Sequence, residues 1–218
     1  MRRSLVNWLG LTGIVAFVSY AAAVALAPLA YPGYEWTVQA VSDLSAQSAP
    51  SRALWDQLSA PYAVCSVVCA TCASIFVSER LPSTRGFRTG VYLFTLMCWI
   101  SDVGYGLFPL SEAGTGMAGL QDVVHVYVIT VAVVLLSIVS LSLIAFAGWR
   151  DPSVRVLGLC AAGALAMMFV GAIGQGLVPH EFFGVVERFS VFAAVGFNAI
   201  LGLFLFHAPR YVPDSASL

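Results

Sequence analysis

Charged side chains are scarce in this sequence, and lysine is missing altogether. Only 10% of the 218 residues are charged, whereas charged residues make up about a quarter of a typical soluble domain. Hydrophobic residues account for 60% of the chain, and the mean hydropathy is +0.89. This composition excludes an ordinary soluble domain. The formal net charge of −1 also excludes a large basic surface, so no nucleic acid partner is expected.

Long apolar runs fill most of the chain. Six runs are long enough to cross a bilayer as helices, which takes about 20 residues. They lie at 6–30, 61–78, 89–109, 122–148, 156–178 and 187–207, and Pro61 suits the first turn of the second run. Their continuity excludes barrel strands, which alternate apolar and polar residues. The sequence therefore predicts an all-α, polytopic bundle of six transmembrane helices. One domain covers residues 1–210, and a short polar tail follows at 211–218.

The arginines predict how the spans are oriented. All ten basic residues are arginine, and eight of them flank the six spans on one side. Only Arg52 and Arg188 fall on the other side. By the positive-inside rule, we expect both termini in the cytoplasm and a multi-pass protein of the cytoplasmic (inner) membrane. In an alternative interpretation, "MRR", the apolar run and "ALAPLA" form a cleaved signal peptide, which would leave five spans.

Metal-binding patterns are also missing. The chain has three histidines and no HExxH motif, although a catalytic zinc site needs about three protein ligands. Cys65 and Cys69 share one helix face, and packing within the bilayer is the preferred interpretation because hydrocarbon surroundings disfavour thiolates. We expect no metal and no cofactor. A mixed metal site of Asp102, His125 and Glu187 is the alternative.

An acid interrupts the third apolar run, in the stretch "ISDVGYGLFPLSE". Asp102 lies about two helical turns, or roughly 10 Å, below the outer end of this run. A charge at that depth is costly unless it is paired, protonated or hydrated. We therefore expect Asp102 to belong to a polar cluster on the outer side of the membrane, near Arg188.

Other polar groups gather on the same side. Asp122 and His125 are spaced i, i+3 on the first turn of the fourth span, so their side chains share a face. On the sixth span, Glu187, Ser190 and Asn198 form a narrow polar stripe. We expect this stripe to face the interior of the bundle.

Arg188 stands beside that stripe, against the general distribution of arginine. We expect it to pair with a carboxylate, and the candidates are Asp43, Asp102, Glu112 and Asp122. Such a salt bridge could equally serve only to hold the helices together. Asp122 also has a purely structural interpretation, because an acid at a helix N-terminus complements the helix dipole.

Several longer stretches resemble a known family. They are "YPGYEWTVQAVSDLSAQSAPSR", "GLFPLSE", "DVVHVY" and "GVVERFSVFAAVGFNAILGLFLF". Together they are similar to a prokaryotic family of six-span membrane proteins known as domain of unknown function 998. The resemblance implies the fold and the membrane location, but no activity. The positions that it suggests as typical are Ser42–Asp43, Phe108–Pro109, His125 and Glu187–Arg188.

The clustered titratable groups favour a membrane-embedded enzyme that acts on a lipid or isoprenoid from the outer leaflet. In this hypothesis Asp102, His125 and Glu187 are the catalytic residues, and His125 relays protons. Membrane lipids are the expected partners, with Arg188 holding an anionic head group. The predicted binding residues are Ser42, Asp43, Asp122, Arg188 and Asn198.

Two other functions are open on the sequence. One is a non-catalytic membrane partner or assembly subunit, whose outer loops bind another protein. The other is a small-solute permease. A permease is disfavoured because transporters place their polar sites near the bilayer midplane, whereas the inner halves of these spans carry few polar residues.

Overall fold

The computed structural model of the chain describes residues 3–80, 84–112 and 119–208. These described residues form helices joined by loops and contain no β-strand. Six of the helical segments are long and apolar enough to cross a membrane. The predicted all-α architecture with six spans is therefore confirmed, and the protein is a multi-pass membrane protein. The predicted polar tail at 211–218 lies outside the described residues.

Two of the six spans are composite. The first combines α1 (Leu5–Leu9) and α2 (Thr12–Leu26) with a 3₁₀ turn over Ala27–Ala30. The fourth combines α5 (Leu120–Val123), a π-helix (Val124–Thr130) and α6 (Val131–Arg150). The others are α3 (Arg52–Arg80), α4 (Arg85–Leu107), α7 (Arg155–Leu177) and α8 (Phe183–His207). A 3₁₀ turn over Ser42–Ser45 lies in the long loop before α3.

The spans pack in a ring that follows chain order, and α8 closes the ring against α2. α8 also contacts α3 and is the most buried of the six spans. Glycine permits the close approach of the first and last spans. A Cβ atom on Gly10 would lie 2.5 Å from the carbonyl oxygen of Gly202, so only the smallest residue fits there.

Both ends of the described chain lie at one end of the bundle. Nδ2 of Asn7 donates to the carbonyl oxygen of Leu205 at 2.7 Å, and Trp8 packs edge to face on Phe206. This end is called the arginine end, because it also carries Arg85, Arg88, Arg150 and Arg155. The opposite end is called the long-loop end and carries residues 31–51, 108–112 and 178–182.

Helix α3 begins at Arg52 rather than at the predicted residue 61. Pro61 consequently lies inside the helix and not in its first turn, as the sequence suggested. A proline normally breaks a helix because it lacks an N–H and crowds the preceding turn. Here the hydroxyl of Ser19 enters the helix: it donates to the carbonyl oxygen of Leu58 at 2.5 Å and accepts from the N–H of Tyr62 at 3.1 Å. Ser19 thus bridges two backbone groups that an unbroken helix would pair directly.

Apolar side chains fill the half of the bundle next to the arginine end. One continuous cluster from α3, α4, α6, α7 and α8 contains Phe87, Phe94, Phe197, Leu201 and Leu205. Each of these five side chains is at most 1% exposed. The core is therefore mainly apolar on this side, and most of the buried polar groups lie toward the other end.

Candidate functional site

A cavity of about 750 Å³ lies among the spans at the long-loop end. All six spans contribute to its wall, which is mostly apolar. Ser42, Ser45 and Leu110 line the part of the cavity next to the long loops, which is called its mouth, and Asn198 lines the part farther into the bundle. This volume is in the range of sites that hold one small ligand, about 300–1,000 Å³. An apolar wall with a few polar groups is the usual composition of such sites.

Asp102 lies on the cavity wall, on α4. Its carboxyl group faces the side chains of Tyr62 and Ser66 on α3. Its Oδ2 atom is buried and has no hydrogen-bond partner among the described residues. Because an unsatisfied buried acceptor is costly, this atom marks a place for a hydrogen-bond donor from a ligand.

Two polar side chains of α8 line the cavity below Glu187. Asn198 is 2% exposed, and its Nδ2 donates to the carbonyl oxygen of Ser66 at 3.2 Å. Its Oδ1 has no partner within the described part of the chain, and the same holds for Oγ of Ser190. Ser190 is pressed against α7, where a Cβ atom on Gly171 would lie 1.8 Å from its Oγ. The polar stripe of the sixth span thus faces the bundle interior, as its spacing predicts.

Glu187 connects the cavity wall to the first long loop. The residue lines the cavity, and its Oε2 accepts a hydrogen bond from the N–H of Val41 at 3.1 Å. Val41 is itself a buried wall residue. One oxygen of this carboxyl group therefore holds the loop that borders the cavity mouth.

Arg188 holds the same loop from outside the cavity. Its Nη1 donates to the carbonyl oxygens of Trp36, Gln39 and Gly184, at 2.7, 3.1 and 2.6 Å. Its Nη2 donates to the hydroxyl of Tyr34 at 2.7 Å. Glycine at position 184 lets the loop approach, because a Cβ atom there would meet the carbonyl oxygens of Gln39 and Trp36.

These contacts correct the predictions for Arg188. Its partners among the described residues are carbonyl groups and a phenol rather than a carboxylate, because the loop turns its carbonyl groups toward α8 and a guanidinium carries five donors. Among the described residues, the ion pair is that of Arg52 with Asp56, at 2.7 Å. Asp102 faces α3 and not Arg188. The prediction that Arg188 holds an anionic head group stays a prediction.

Tyr34 extends this anchor. Burial raises the pKa of Tyr34 to about 12, and the Arg188 guanidinium opposes that rise. The phenol is therefore neutral at physiological pH, and it donates to the carbonyl oxygen of Ala40 at 2.8 Å. Arg188, Tyr34 and the loop backbone form one connected hydrogen-bond network.

The predicted pair Ser42–Asp43 is divided between two roles. Asp43 is 7% exposed, and its Oδ2 accepts from the N–H of Ala40 at 3.1 Å. It thus stabilises the turn that leads into the 3₁₀ segment. Ser42 borders the cavity, and its carbonyl oxygen accepts from the hydroxyl of Ser45 at 3.0 Å.

Asp122 anchors the second long-loop segment. It is 3% exposed, and its Oδ1 accepts from the N–H of Ser111 at 2.8 Å. The adjacent Leu110 accepts from the N–H of Gln47 at 2.8 Å, which ties the two long loops together. The observed role of Asp122 is therefore to fix a loop next to the cavity.

A π-helix directs His125 toward the third span. Its Nδ1 lies 2.7 Å from the carbonyl oxygen of Phe108, and its ring packs on Tyr105 with centroids 4.7 Å apart. The hydroxyl of Thr130 donates to the carbonyl oxygen of His125 at 2.9 Å and accepts from Tyr105 at 3.0 Å. π-Helical turns inside α-helices occur frequently at functional sites, and His125 lines the cavity.

The structure divides the predicted site residues into two groups. Those on the cavity wall are Ser42, Asp102, His125, Glu187 and Asn198. Those that hold loops by backbone contacts are Asp43, Asp122 and Arg188. Within residues 3–80, 84–112 and 119–208, no group of three or more His, Cys, Asp or Glu side chains is placed to bind a metal. The alternative of a mixed metal site is therefore not assembled there, and the catalytic assignments stay predictions.

Tyr62 and Ser66 belong to the site and were missed from the sequence. Both line the cavity and face Asp102. The available signal is their i, i+4 spacing, which Cys69 continues at i+7 on the same face of α3. Because most residues around them are apolar, this polar face is hard to recognise in the sequence.

The fold and the cavity define a multi-pass helical membrane protein with a ligand-sized site at one end. A family model described as "Protein of unknown function (DUF998)" matches residues 14–203. Since this match covers most of the chain, the chain belongs to that family. No curated protein and no solved structure matches the chain significantly.

Proposed function

We propose that the protein is an enzyme of the cytoplasmic membrane that acts on a lipid or isoprenoid within this cavity, entered from the outer leaflet. The observation that carries the proposal is the buried Oδ2 of Asp102, which lines the cavity and lacks a partner among the described residues. An ionisable group inside the membrane is costly to maintain and usually functional. The side chains of Tyr62 and Ser66 contact this carboxyl group, yet its Oδ2 stays open among the described residues.

The titratable side chains on the cavity wall include two acids and an imidazole that lie within the spans: Asp102, Glu187 and His125. Acid–base catalysis can use such a set, because one group can remove a proton while another donates one. Asp102 is the acid or base in this proposal. Glu187 already accepts from Val41, and Nδ1 of His125 is already engaged by Phe108. Each of these two therefore offers its other polar atom to the substrate.

The floor of the cavity supports an enzyme over a permease. Beyond Asn198, the bundle continues as the mainly apolar core that contains Phe94, Phe197 and Leu201. A permease needs a polar route to both surfaces. A protein that works on a molecule dissolved in the membrane needs only one opening, so a cavity that lies toward one end of the bundle suits it.

The lipid profile of cells that lack the gene tests the proposal. The deletion strain is complemented with wild type, Asp102→Asn or Glu35→Gln, and membrane amounts of each variant are matched by immunoblot. Glu35 is an exposed loop acid away from the cavity, so its conversion to the amide is a matched control. We expect wild type and Glu35→Gln to restore the profile and Asp102→Asn to leave it altered. Restoration by Asp102→Asn would refute the acid–base role, and an unaltered profile in the deletion strain would refute the enzyme.

A further inference from the structure

Three polar atoms that lack partners among the described residues lie in the cavity: Oδ2 of Asp102, Oγ of Ser190 and Oδ1 of Asn198. The amide oxygen and the oxygen of a carboxylate accept hydrogen bonds, and the serine hydroxyl accepts as well as donates. The amide orientation of Asn198 is fixed by its Nδ2 contact with the carbonyl oxygen of Ser66, because a carbonyl group only accepts. Asn198 therefore presents its oxygen, and not its nitrogen, as the open atom.

Ser66 brings these two acceptors together. Its side chain faces Asp102, and its carbonyl oxygen and hydroxyl both accept from Asn198. Asp102 and Asn198 belong to different spans, yet both adjoin this one residue of α3. The two side chains that carry the open oxygens therefore lie in one region of the cavity wall, next to Ser66.

His125 adds a third acceptor when it is neutral. Its Nδ1 lies 2.7 Å from the carbonyl oxygen of Phe108, so this nitrogen carries a proton. The other nitrogen of a neutral imidazole is then an acceptor. Donors with a fixed positive charge are not found at this depth in the described part of the wall.

The arginines near the cavity are engaged elsewhere. Arg52, the one arginine on the described wall, lies at the mouth and donates to Asp56 and to the carbonyl oxygen of Ser45. Arg188 is held by the loop carbonyl groups outside the cavity. A phosphate group is bound by cationic side chains or by clustered N–H donors. In the deeper cavity it would instead face the carboxyl group of Asp102 and the amide oxygen of Asn198.

We infer that the cavity selects a ligand whose polar end donates hydrogen bonds, namely a hydroxyl or an ammonium group on an apolar chain. The polar end lies between Asp102 and Asn198, and the chain lies along apolar wall residues such as Met97, Met168 and Val195. This inference names the substrate class of the proposed function and rests on that function for the site. A long-chain alcohol or amine fits it, and a long-chain phosphate does not.

Direct binding to the full chain in lipid nanodiscs tests the inference. The probes are tritiated hexadecanol, hexadecylamine and hexadecyl phosphate, which share one apolar chain and differ only at the polar end. We expect saturable binding of the alcohol or the amine, with the phosphate bound at least roughly tenfold more weakly. Equal or tighter binding of the phosphate overturns the inference, and so does the absence of saturable binding by both the alcohol and the amine.

Variants locate the binding in the cavity. Asp102→Asn removes a carboxylate oxygen but keeps the side-chain size, and Asn198→Ala removes the open amide oxygen. We expect each variant to weaken binding of the preferred probe by roughly tenfold, the usual scale for a lost charge-assisted or buried hydrogen bond. Ser137→Ala is the matched control, because Ser137 is buried with an open Oγ but lies outside the cavity wall. Thermal melting curves verify that each variant is folded, and unchanged affinity in both folded site variants refutes the assignment.

The two proposals fail in different ways. Tight phosphate binding, combined with an altered lipid profile in Asp102→Asn cells, refutes the inferred polar end and leaves the enzyme standing. Selective binding of the alcohol or amine, combined with an unaltered profile in the deletion strain, refutes the enzyme and leaves the inferred ligand class standing.

Discussion

The N–H of Val41 donates a hydrogen bond to Oε2 of Glu187, at 3.1 Å, and joins residues that are 146 positions apart. The next residue, Arg188, donates to the carbonyl oxygens of Trp36 and Gln39. Two consecutive side chains of α8 therefore hold the backbone of one loop, one as acceptor and the other as donor. Because this loop borders the cavity mouth, α8 links the loop conformation to the cavity wall.

Arg188→Ala is expected to loosen the first long loop without unfolding the spans. The change leaves three carbonyl oxygens without their cationic donor, and a hydrogen bond to a charged group contributes about 1.5–3 kcal/mol. Amide hydrogen exchange of residues 36–41, followed by mass spectrometry in nanodiscs, should accelerate by roughly tenfold or more. Arg155→Ala, at an exposed position of the arginine end, should leave the exchange unchanged. Equal protection of the loop in both variants contradicts the anchoring role of Arg188.

Ser19→Ala is expected to destabilise the second span at its proline. Without the hydroxyl, the carbonyl group of Leu58 and the N–H of Tyr62 lose their shared partner. The loss should lower the free energy of unfolding by about 1–3 kcal/mol, measured by thermal or denaturant unfolding in detergent. Ser78→Ala is the control, since Ser78 is exposed and bonds only to its own helix. Its effect should stay within about 0.5 kcal/mol.

A double-mutant cycle makes this prediction sharper. In a Pro61→Ala background the helix can close its own hydrogen bonds, so Ser19→Ala should cost less there than in the wild type. Equal costs in the two backgrounds show that Ser19 does not compensate for the proline.

Gly171→Ala is expected to separate α7 from α8 beside the cavity. A Cβ atom at this position would lie 1.8 Å from Oγ of Ser190 and 2.6 Å from its backbone nitrogen. The backbone cannot yield as a flexible side chain would, so a cost of about 1–3 kcal/mol is expected. Gly163→Ala, on the same helix with open space around it, should be neutral or slightly stabilising, because alanine favours the helix. Equal melting temperatures for the two variants refute close packing at Gly171.

The fold was predictable because each span has its own signal in the sequence, a long apolar run that can be recognised without knowledge of the others. Length and hydropathy of each run predicted six spans, and the structure has six segments of the required length and composition. The beginning of α3 was not predictable, because Pro61 is a strong local signal for a helix boundary. The helix continues through Pro61 because the hydroxyl of Ser19, on the first span, bonds to the backbone there. No local pattern indicates that Ser19 will lie opposite this proline.

The site was predictable to the extent that it depends on helical spacing. The stripe of Glu187, Ser190 and Asn198 faces inward because the period of the helix determines its direction. The partners of Arg188 were not predictable, because they are backbone carbonyl groups. Every residue has such a group, so the sequence does not indicate which of them will lie beside the arginine. Charge pattern led to the prediction of a carboxylate, whereas loop geometry supplies carbonyl groups.

The arginine distribution yields the last prediction, that the arginine end lies in the cytoplasm. Glu35 and Glu79 are exposed acids at the long-loop end and the arginine end, so Glu35→Cys and Glu79→Cys are a matched pair. The native cysteines lie within the spans and are buried or partly buried, so a membrane-impermeant maleimide should not reach them. By the positive-inside rule, Glu35→Cys should be labelled in intact cells, and Glu79→Cys only after permeabilisation. The reverse pattern means that the bundle is inverted, and the proposed entry from the outer leaflet fails with it. Labelling of both variants in intact cells contradicts the placement of these two ends on opposite sides of the membrane.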